Sequence, residues 1–257
     1  MTSAVQVRYD NTYLYLILLF LLCSIYLTVK VYDRLQEIES RADKPLVICI
    51  EGNIGSGKST LIKHLTNRLK DVVPLEEPTQ EWQHFHGNNM LDIFYTSPIQ
   101  HGFLVQVFLQ ISLFKAFWKV VQNIGSDKIV LMERSMVSSK EFFIPTMKTK
   151  GYVTDHEANV ASYLCDTLAE TTHVDILVYL KSDPQTCLER IKARGRKEEV
   201  DHIDIDYLEQ LHCLHESWSD RCRPIIIDVD NCSPEEVAQS LCEKLRLKTM
   251  LYPKSEK

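Results

Sequence analysis

The stretch ICIEGNIGSGKST, residues 48–60, places glycine-rich sequence between an apolar segment and a helix-prone segment. Gly52, Gly57, Lys58 and Ser59 have the spacing of a loop whose backbone N–H groups surround phosphate oxygens at a helix N-terminus. Glycine suits such a loop because a side chain would block the approach of the phosphate. The stretch therefore predicts a phosphate-binding loop.

The segments on either side of this loop predict the structure that carries it. PLVICI, residues 45–50, is continuously apolar, which is typical of a buried parallel strand. Leu61, Leu65 and Leu69 follow the loop at helical spacing. We therefore expect a strand, the loop and a helix in direct succession, as in a P-loop NTPase-type fold.

The residue types of the loop predict its ligands, ATP and Mg²⁺. Lys58 is expected to reach the β- and γ-phosphates, and the Ser59 hydroxyl is expected to ligate Mg²⁺. The residues expected to bind phosphate are Gly52, Asn53, Ile54, Gly55, Ser56, Gly57, Lys58, Ser59 and Thr60.

Length and charge limit the alternatives. A chain of 257 residues is long enough for one α/β domain with a full core and an appendage. The net charge of -6 provides no electrostatic footprint for DNA or RNA, so we expect no nucleic acid polymer as partner. Cys49 and Cys187 fall in segments that look buried, which favours reduced thiols over a disulfide framework.

Beyond the first helix, short apolar runs alternate with helical patterns. The further strand candidates are VVPLEE, KIVLMER, VDILVYLKSDP and PIIIDVD, within residues 72–230. With the first strand they predict a five-stranded parallel sheet between layers of helices. The runs stop at charged residues, namely Glu76, Glu77, Glu133, Arg134, Asp183 and Asp230.

Ligands of open α/β sheets bind beyond the carboxyl ends of the strands, where these charges and the phosphate loop converge. Glu77 is a candidate base for a hydroxyl that attacks the γ-phosphate. Glu133 is expected to serve the metal, and Arg134 to bind the attacking group or to balance Glu77. Asp183 and Asp230 are interpreted as ordinary strand ends.

A cluster of arginines follows the fourth strand candidate. Arg190 and Arg194 lie one helical turn apart, and Arg196 follows the helix-breaking Gly195. A solvated basic face is the usual explanation for such a run. Beside a phosphate loop it predicts a cationic lid that balances the transferring phosphoryl group and excludes water.

The N-terminus carries an uncharged apolar segment, YLYLILLFLLCSIYLTV, residues 13–29. As a helix it would span roughly 26 Å, within the range of a transmembrane helix, and tyrosines flank it as interfacial anchors do. A cleaved signal peptide would have a shorter apolar region and a small-residue cleavage site. We therefore expect residues 1–31 to form a single-pass anchor.

The sequence after this segment predicts its orientation. Residues 32–44 are charge-dense and predict a solvated stalk, after which residues 45–257 would form the catalytic domain. Lys30, Arg34, Arg41 and Lys44 follow the apolar segment whereas only Arg8 precedes it. The positive-inside rule then places the domain on the cytoplasmic side. An association with mitochondria is left open.

Four segments in this order resemble the deoxyribonucleoside kinase family: EGNIGSGKST, EEPTQEW, MERS and RGRKEEVDHIDIDYLEQLHCLHESW, within residues 51–218. The resemblance implies transfer of phosphate from ATP to the 5′-hydroxyl of a deoxynucleoside. It also implies a homodimer. The membrane anchor lies outside the family pattern.

The resemblance also implies roles for individual residues. Glu77 matches the general base, Arg134 the arginine beside it, and Glu133 the carboxylate on the metal side. The lid cations match Arg190, Arg194 and Arg196. The residues that match the nucleoside site are Trp82 beside the nucleoside, Tyr95 and Glu199 on the 3′-hydroxyl, Gln106 on the base edge, and Phe143 stacked on the base.

The base pocket departs from one branch of the family. Deoxycytidine and deoxyguanosine kinases resemble each other in an Arg and Asp pair deep in this pocket, where the present chain has Leu113 and Ser139. An apolar pocket is more similar to the thymidine-accepting branch, which favours thymidine and deoxycytidine. Ser139 and Lys140 stand where thymidine-accepting relatives commonly have Ala and Arg.

Two alternative functions were weighed against this interpretation. A catalytically silent, membrane-tethered scaffold of the same fold would have no chemical need for Lys58, Ser59, Glu77 and Arg134 together. A nucleoside monophosphate kinase would need additional cations for the acceptor phosphate, whereas Glu77 and Glu199 would repel it.

Overall fold

The computed structural model describes residues 44–245. The expected anchor at residues 13–29, the stalk up to residue 43, and residues 246–257 lie outside the described residues. The predicted boundaries of the anchor and the stalk therefore stay predictions.

Five strands form one parallel sheet, as the sequence predicts. Their order across the sheet is β2-β3-β1-β4-β5, and all four neighbouring pairs are parallel. The strands are β1 Leu46–Gly52, β2 Val72–Leu75, β3 Ile129–Glu133, β4 Ile176–Lys181 and β5 Ile225–Asp228.

Helices connect and cover these strands. The α-helices are α1 Lys58–Arg68, α2 Thr79–Gln83, α3 Met90–Thr96, α4 Pro98–Val121, α5 Ile144–Thr149, α6 Asp155–Ala169, α7 Pro184–Arg194, α8 Lys197–Val200, α9 Ile205–Cys222 and α10 Pro234–Lys244. A π-helix, Ser138–Phe143, precedes α5, and the sequence pattern did not predict it.

Side chains that alternate along β1 place the helices in two layers. Ile48 and Ile50 belong to a core that includes Leu61 of α1 and Val237 of α10. Val47 belongs to another core, with Phe117 of α4. Successive residues of a strand point to opposite faces, so the sheet is covered on both sides, which confirms the predicted three-layer α/β fold.

The strand order directs the functional loops to one edge. β1 lies at the centre, and the chain crosses to β3 on one side of it and to β4 on the other. Such a reversal opens a crevice at the carboxyl ends of the strands. The phosphate loop leaves β1 at this crevice, and Glu133 closes β3 beside it.

Of the helices in residues 44–245, α4 alone is long and apolar enough to cross a membrane by length and composition. Its side chains Val105, Gln106, Leu113 and Phe117 are buried in the domain. Long apolar helices also occur inside folded domains, so this property of α4 adds nothing to the anchor predicted at residues 13–29.

Candidate active site

Two glycines of the phosphate loop lie where no side chain fits. A Cβ atom on Gly52 would come within 2.7 Å of the Leu180 carbonyl oxygen, and one on Gly55 within 2.5 Å of the Cys187 carbonyl oxygen. Both residues also have positive φ angles, of 152° and 84°. The loop is therefore packed tightly onto β4 and α7, and its backbone N–H groups remain free of side-chain obstruction.

Lys58 and Ser59 lie at the start of α1, at the floor of the crevice. The Lys58 Nζ donates to the carbonyl oxygens of Gly52 at 3.2 Å and Asn53 at 2.8 Å. Burial lowers the pKa of Lys58 to about 8, and the nearby carboxylate of Glu133 opposes this shift. The cation thus closes the loop on itself and is free to exchange a carbonyl for a phosphate oxygen.

Three of the predicted loop residues lie behind the crevice rather than on its surface. Asn53 donates from Nδ2 to the Leu208 carbonyl oxygen at 2.9 Å and accepts from the Ile54 amide at 2.9 Å, so its side chain ties the loop to α9. Ser56 is buried, and its hydroxyl has no hydrogen-bond partner among residues 44–245. Gly52 is buried with them. Ile54, Gly55, Gly57, Lys58, Ser59 and Thr60 line the crevice itself.

Ser59 and Glu133 bring two oxygen donors together. The Ser59 hydroxyl donates to Glu133 Oε1 at 2.9 Å, and both side chains line the crevice. Mg²⁺ takes hard oxygen ligands and is usually bound by one or two protein groups together with substrate phosphates. In residues 44–245 no three His, Cys, Asp or Glu side chains are grouped as for a self-contained metal site. The donor set therefore fits Mg²⁺ held jointly with phosphates.

Glu77 forms an ion pair with Arg134 at the same edge. The Arg134 Nε lies 2.8 Å from Glu77 Oε1. Burial raises the pKa of Glu77 to about 7, Arg134 acts to lower it, and the neighbouring Glu133 raises it further. A carboxylate in this environment changes protonation near neutral pH, as a general base must.

Arg134 is held in an unusual conformation. Its φ of 61° lies in the left-handed region, which non-glycine residues adopt at a cost and mostly at functional sites. The guanidinium carbon lies 4.9 Å from the centroid of the Phe143 ring. The Arg134 NH1 is buried and has no hydrogen-bond partner within the described part of the chain. One donor of the guanidinium is therefore available to a ligand.

A single cleft joins the phosphate loop to an aromatic and apolar pocket. It has a volume of about 790 Å³. The predicted site residues that line it, besides those of the loop, are Glu77, Trp82, Tyr95, Gln106, Glu133, Arg134, Phe143, Arg190, Arg194, Arg196 and Glu199. Such a volume suits a small molecule beside a phosphate group.

The inner end of the cleft carries the predicted nucleoside residues. Gln106 is 5% exposed, and its Nε2 has no hydrogen-bond partner among the described residues. A buried amide donor without a partner is costly, which indicates that a ligand atom completes it. The Trp82 Nε1 donates to the Ser112 hydroxyl at 2.6 Å, which holds the indole in the wall. Burial raises the pKa of Tyr95.

The predicted lid residues differ in their surroundings. Arg194 and Arg196 both pair with Glu199, the latter at 2.9 Å. Arg190 instead donates to the Ser182 hydroxyl at 3.2 Å and to the Val229 carbonyl oxygen at 3.1 Å. Arg190 is therefore anchored on the sheet edge, and Arg194 and Arg196 lie on the segment around α8.

Two acidic strand ends have structural roles, as interpreted from the sequence. Asp183 caps α7 by accepting from the amides of Gln185 at 2.8 Å and Thr186 at 3.4 Å. Asp230 accepts from the Ser182 hydroxyl at 2.7 Å and the Asp183 amide at 2.7 Å. Neither lines the cleft.

Several cleft residues were not selected from the sequence. Leu91, Phe94, Leu109, Met147 and Tyr207 line its apolar end. They come from helices that are distant in sequence, so only the hydrophobic spacing of each helix hinted at burial, and nothing in that spacing indicated which apolar side chains would face a ligand.

Comparison with known proteins identifies the group to which this architecture belongs. The model of the deoxynucleoside kinase family matches residues 48–250. The chain belongs to the deoxynucleoside kinase family.

Individual relatives of this deoxynucleoside kinase are similar over most of the domain. Human mitochondrial thymidine kinase 2 is 34% identical over 182 residues, which cover 70% of this chain and 66% of the relative. A probable deoxycytidine kinase of fowlpox virus is 35% identical over 178 residues, covering 66% of this chain and 70% of the relative. A thymidine kinase of ictalurid herpesvirus 1 is 31% identical over 219 residues, covering 82% and 92%. The chain thus spans 66% of the length of the human relative.

Proposed function

We propose that this chain transfers the γ-phosphoryl group of ATP to the 5′-hydroxyl of a deoxynucleoside. The observation that carries the proposal is the shared cleft, in which Glu77 and Arg134 lie between the phosphate loop and an apolar pocket with an unpartnered amide. A phosphotransferase needs a donor site and an acceptor site that meet at a base.

In this proposal Glu77 accepts the proton of the 5′-hydroxyl. The 5′-oxygen then forms a bond to the γ-phosphorus, the bond from this phosphorus to the β,γ-bridging oxygen breaks, and ADP leaves. A pKa of about 7 suits Glu77 to take the proton at neutral pH and to release it afterwards. Arg134 orients Glu77 through its Nε, and its unpartnered NH1 faces the developing negative charge.

The phosphates of ATP lie along the loop, with Lys58 turned from its two carbonyl acceptors to the β- and γ-phosphates. Ser59 and Glu133 would hold Mg²⁺, directly or through water. Bound there, Mg²⁺ neutralises phosphate charge and aligns the terminal phosphoryl group. Arg194 and Arg196 supply positive charge from the lid, and Arg190 does so from the sheet edge.

The nucleoside occupies the apolar end of the cleft. Gln106 both donates to and accepts from the base edge, Phe143 stacks on the base, and Trp82 packs beside it. Tyr95 and Glu199 hold the 3′-hydroxyl. These roles are supported by the position of all five side chains on the cleft wall and by the open Nε2 of Gln106.

Pyrimidine deoxynucleosides are the proposed substrates. Leu113 and Ser139 line the inner cleft, and neither provides the charge of an Arg and Asp pair. The relatives named thymidine kinase 2 and deoxycytidine kinase support thymidine and deoxycytidine as the substrates to test. Salvage of nucleosides is the process such a reaction serves.

We also propose the organisation of the whole protein. Residues 1–31 would anchor it in a membrane, residues 32–44 would form a stalk, and residues 45–257 would form the kinase domain on the cytoplasmic side. The name of the human relative makes mitochondria a place to look for it. A homodimer is supported by exposed apolar side chains on two adjacent helices, Ile99, Leu104 and Ile111 of α4 and Val160 and Tyr163 of α6.

The test uses the full chain in mild detergent with ATP and Mg²⁺. Thymidine, deoxycytidine, deoxyadenosine and deoxyguanosine are each supplied, and the product is identified as the 5′-monophosphate by chromatography. Thymidine monophosphate serves as the acceptor that a monophosphate kinase would use. We expect turnover of thymidine and deoxycytidine; no turnover of any nucleoside would leave a silent scaffold, and turnover of the monophosphate alone would replace the proposal.

A further inference from the structure

Glu51 is a buried carboxyl group to which the proposed chemistry gives no task. It is the residue before Gly52 at the end of β1, is 0% exposed, and is not part of the cleft wall. A carboxyl group in the central strand of a sheet is costly to bury unless it is fully hydrogen-bonded. What it contacts therefore indicates what it does.

Every hydrogen bond that reaches this carboxyl group comes from a donor. Oε1 accepts from the Ser135 amide at 3.1 Å, from the Ser135 hydroxyl at 3.0 Å and from the Cys49 thiol at 3.5 Å. Oε2 accepts from the Ser138 hydroxyl. Burial raises the pKa of Glu51, and Arg134 is the main charge that opposes this shift.

Two of these partners enclose the segment that carries Arg134. The Arg134 amide still donates to the Ile50 carbonyl oxygen at 3.1 Å, so the residue is attached to the sheet on its N-terminal side. Glu51 then captures the next amide and hydroxyl, those of Ser135, and the hydroxyl of Ser138 at the start of the π-helix. The left-handed turn at Arg134 is thus fixed on both sides.

The turn determines where the guanidinium lies. With φ at 61°, the Arg134 side chain leaves the sheet edge toward Glu77 and reaches Oε1 at 2.8 Å. A residue in this region relaxes to negative φ unless its surroundings oppose it. If Ser135 were released, Arg134 would lose the constraint that aims it at Glu77.

We propose that Glu51 is a positioning residue that sets the Arg134–Glu77 pair through Ser135 and Ser138. This inference rests on the proposed function for its catalytic meaning, but its structural content concerns the pair alone. Glu51 acts on the reaction through Arg134 and touches neither substrate.

The experiment compares Glu51→Gln with Glu216→Gln in the full chain. An amide at position 51 turns a donor toward the Ser135 and Ser138 donors, so the hydrogen bonds that hold the segment are lost. Glu216 is a matched control, because it also accepts from a side-chain hydroxyl, that of Tyr179 at 2.9 Å, and lies on α9 outside the cleft wall.

The first measurement is the pKa of Glu77 without substrates, from carboxyl ¹³C NMR of glutamate-labelled protein, with the Glu77→Gln spectrum as assignment. Because Arg134 lowers this pKa, its displacement in Glu51→Gln should raise the pKa above about 7, and Glu216→Gln should leave it unchanged. The second measurement is turnover: kcat for thymidine should fall by about tenfold or more in Glu51→Gln, with KM for ATP nearly unchanged.

A Glu51→Gln protein with lower thermal stability but the same Glu77 pKa and kcat as Glu216→Gln would overturn the inference, since Glu51 would then act in folding alone. If Glu51→Gln does not fold, Ser135→Ala removes one donor of the same network and should shift both readouts in the same direction by less. If the unaltered chain phosphorylates no nucleoside, the proposed function fails, while the Glu77 pKa comparison still decides the inference.

Discussion

The environment of each residue separates two carboxylates that leave neighbouring strands. Glu133 faces Ser59 at 2.9 Å, whereas Glu77 faces Arg134 at 2.8 Å and has its pKa raised to about 7 by burial. One carboxylate is therefore placed to serve a metal and the other to exchange a proton. Sequence spacing predicted both residues at one edge, but it did not predict Glu51, because a carboxylate inside an apolar strand looks like part of the loop motif that follows it.

Replacing Glu77 tests the proton acceptor. In Glu77→Gln the amide keeps the size of the side chain but cannot take the hydroxyl proton, so kcat should fall by about 10² or more while ATP affinity is nearly unchanged. Steady-state kinetics with thymidine and equilibrium binding of ATP would measure both. Glu81→Gln is the control, because Glu81 lies on the same helix region, pairs with Lys115 at 3.7 Å and is not part of the cleft wall.

The same kcat in Glu77→Gln and in Glu81→Gln would show that the proton acceptor is assigned to the wrong residue.

Residues 113 and 139 test the base preference. Leu113→Arg combined with Ser139→Asp places a polar pair in the inner cleft, which should move preference from thymidine toward purine deoxynucleosides by about tenfold or more in the ratio of kcat/KM values. Competition assays with thymidine and deoxyguanosine measure this ratio directly. An unaltered ratio in a folded variant would contradict the alignment of the pocket.

At the scale of elements, the strands were predictable and the lid contacts were not. Each strand is a continuous apolar run that ends in charge, so the local sequence identifies it. The π-helix Ser138–Phe143 was missed because its residues also fit an α-helix, and the π turn is set by packing and by the hydrogen bond of Ser138 to Glu51. Likewise, the anchoring of Arg190 on Ser182 depends on how β4 and β5 lie together.

A contact between α2 and α8 tests how the lid closes. Gln83 donates from Nε2 to Glu198 Oε1 at 2.6 Å, which ties α8 down beside the nucleoside end of the cleft. Gln83→Ala removes this bond, so KM for thymidine should rise by roughly two- to tenfold with little change in kcat. Gln239→Ala is the control, because Gln239 makes a similar bond, to Glu243 at 3.1 Å, on α10.

Equal KM values in the two variants would mean that the Gln83 contact does not restrain the lid.

At the scale of the whole molecule, charge and surface describe two different partners. The net charge is -6, yet Lys58, Arg190, Arg194 and Arg196 gather at one cleft, so a small anion is accommodated by a chain that is acidic elsewhere. Apolar side chains meanwhile remain exposed on α4 and α6, with Ile99 at 78% and Tyr163 at 74%. Composition predicted the first feature, but the second depends on which helix faces the structure leaves uncovered.

This exposed face tests the proposed homodimer. Ile99→Lys with Tyr163→Lys adds charge to the face without touching the core, so a dimer should become a monomer while the melting temperature of the domain changes little. Light scattering of the full chain in detergent, corrected for the micelle, measures the mass. Ile226→Lys, at another exposed apolar residue, should leave the dimer intact. An unaltered chain that is already monomeric would contradict the proposal.

The pH dependence of kcat/KM for thymidine, in the unaltered chain and in Glu77→Gln, tests the central claim most directly. Since Glu77 must be unprotonated to take the hydroxyl proton, and its pKa is about 7, the unaltered chain should lose activity by about tenfold per pH unit below this value. Glu77→Gln should retain a low rate that is flat across the same range. Identical acid limbs in both proteins would contradict the account, because the titrating group would then be another residue.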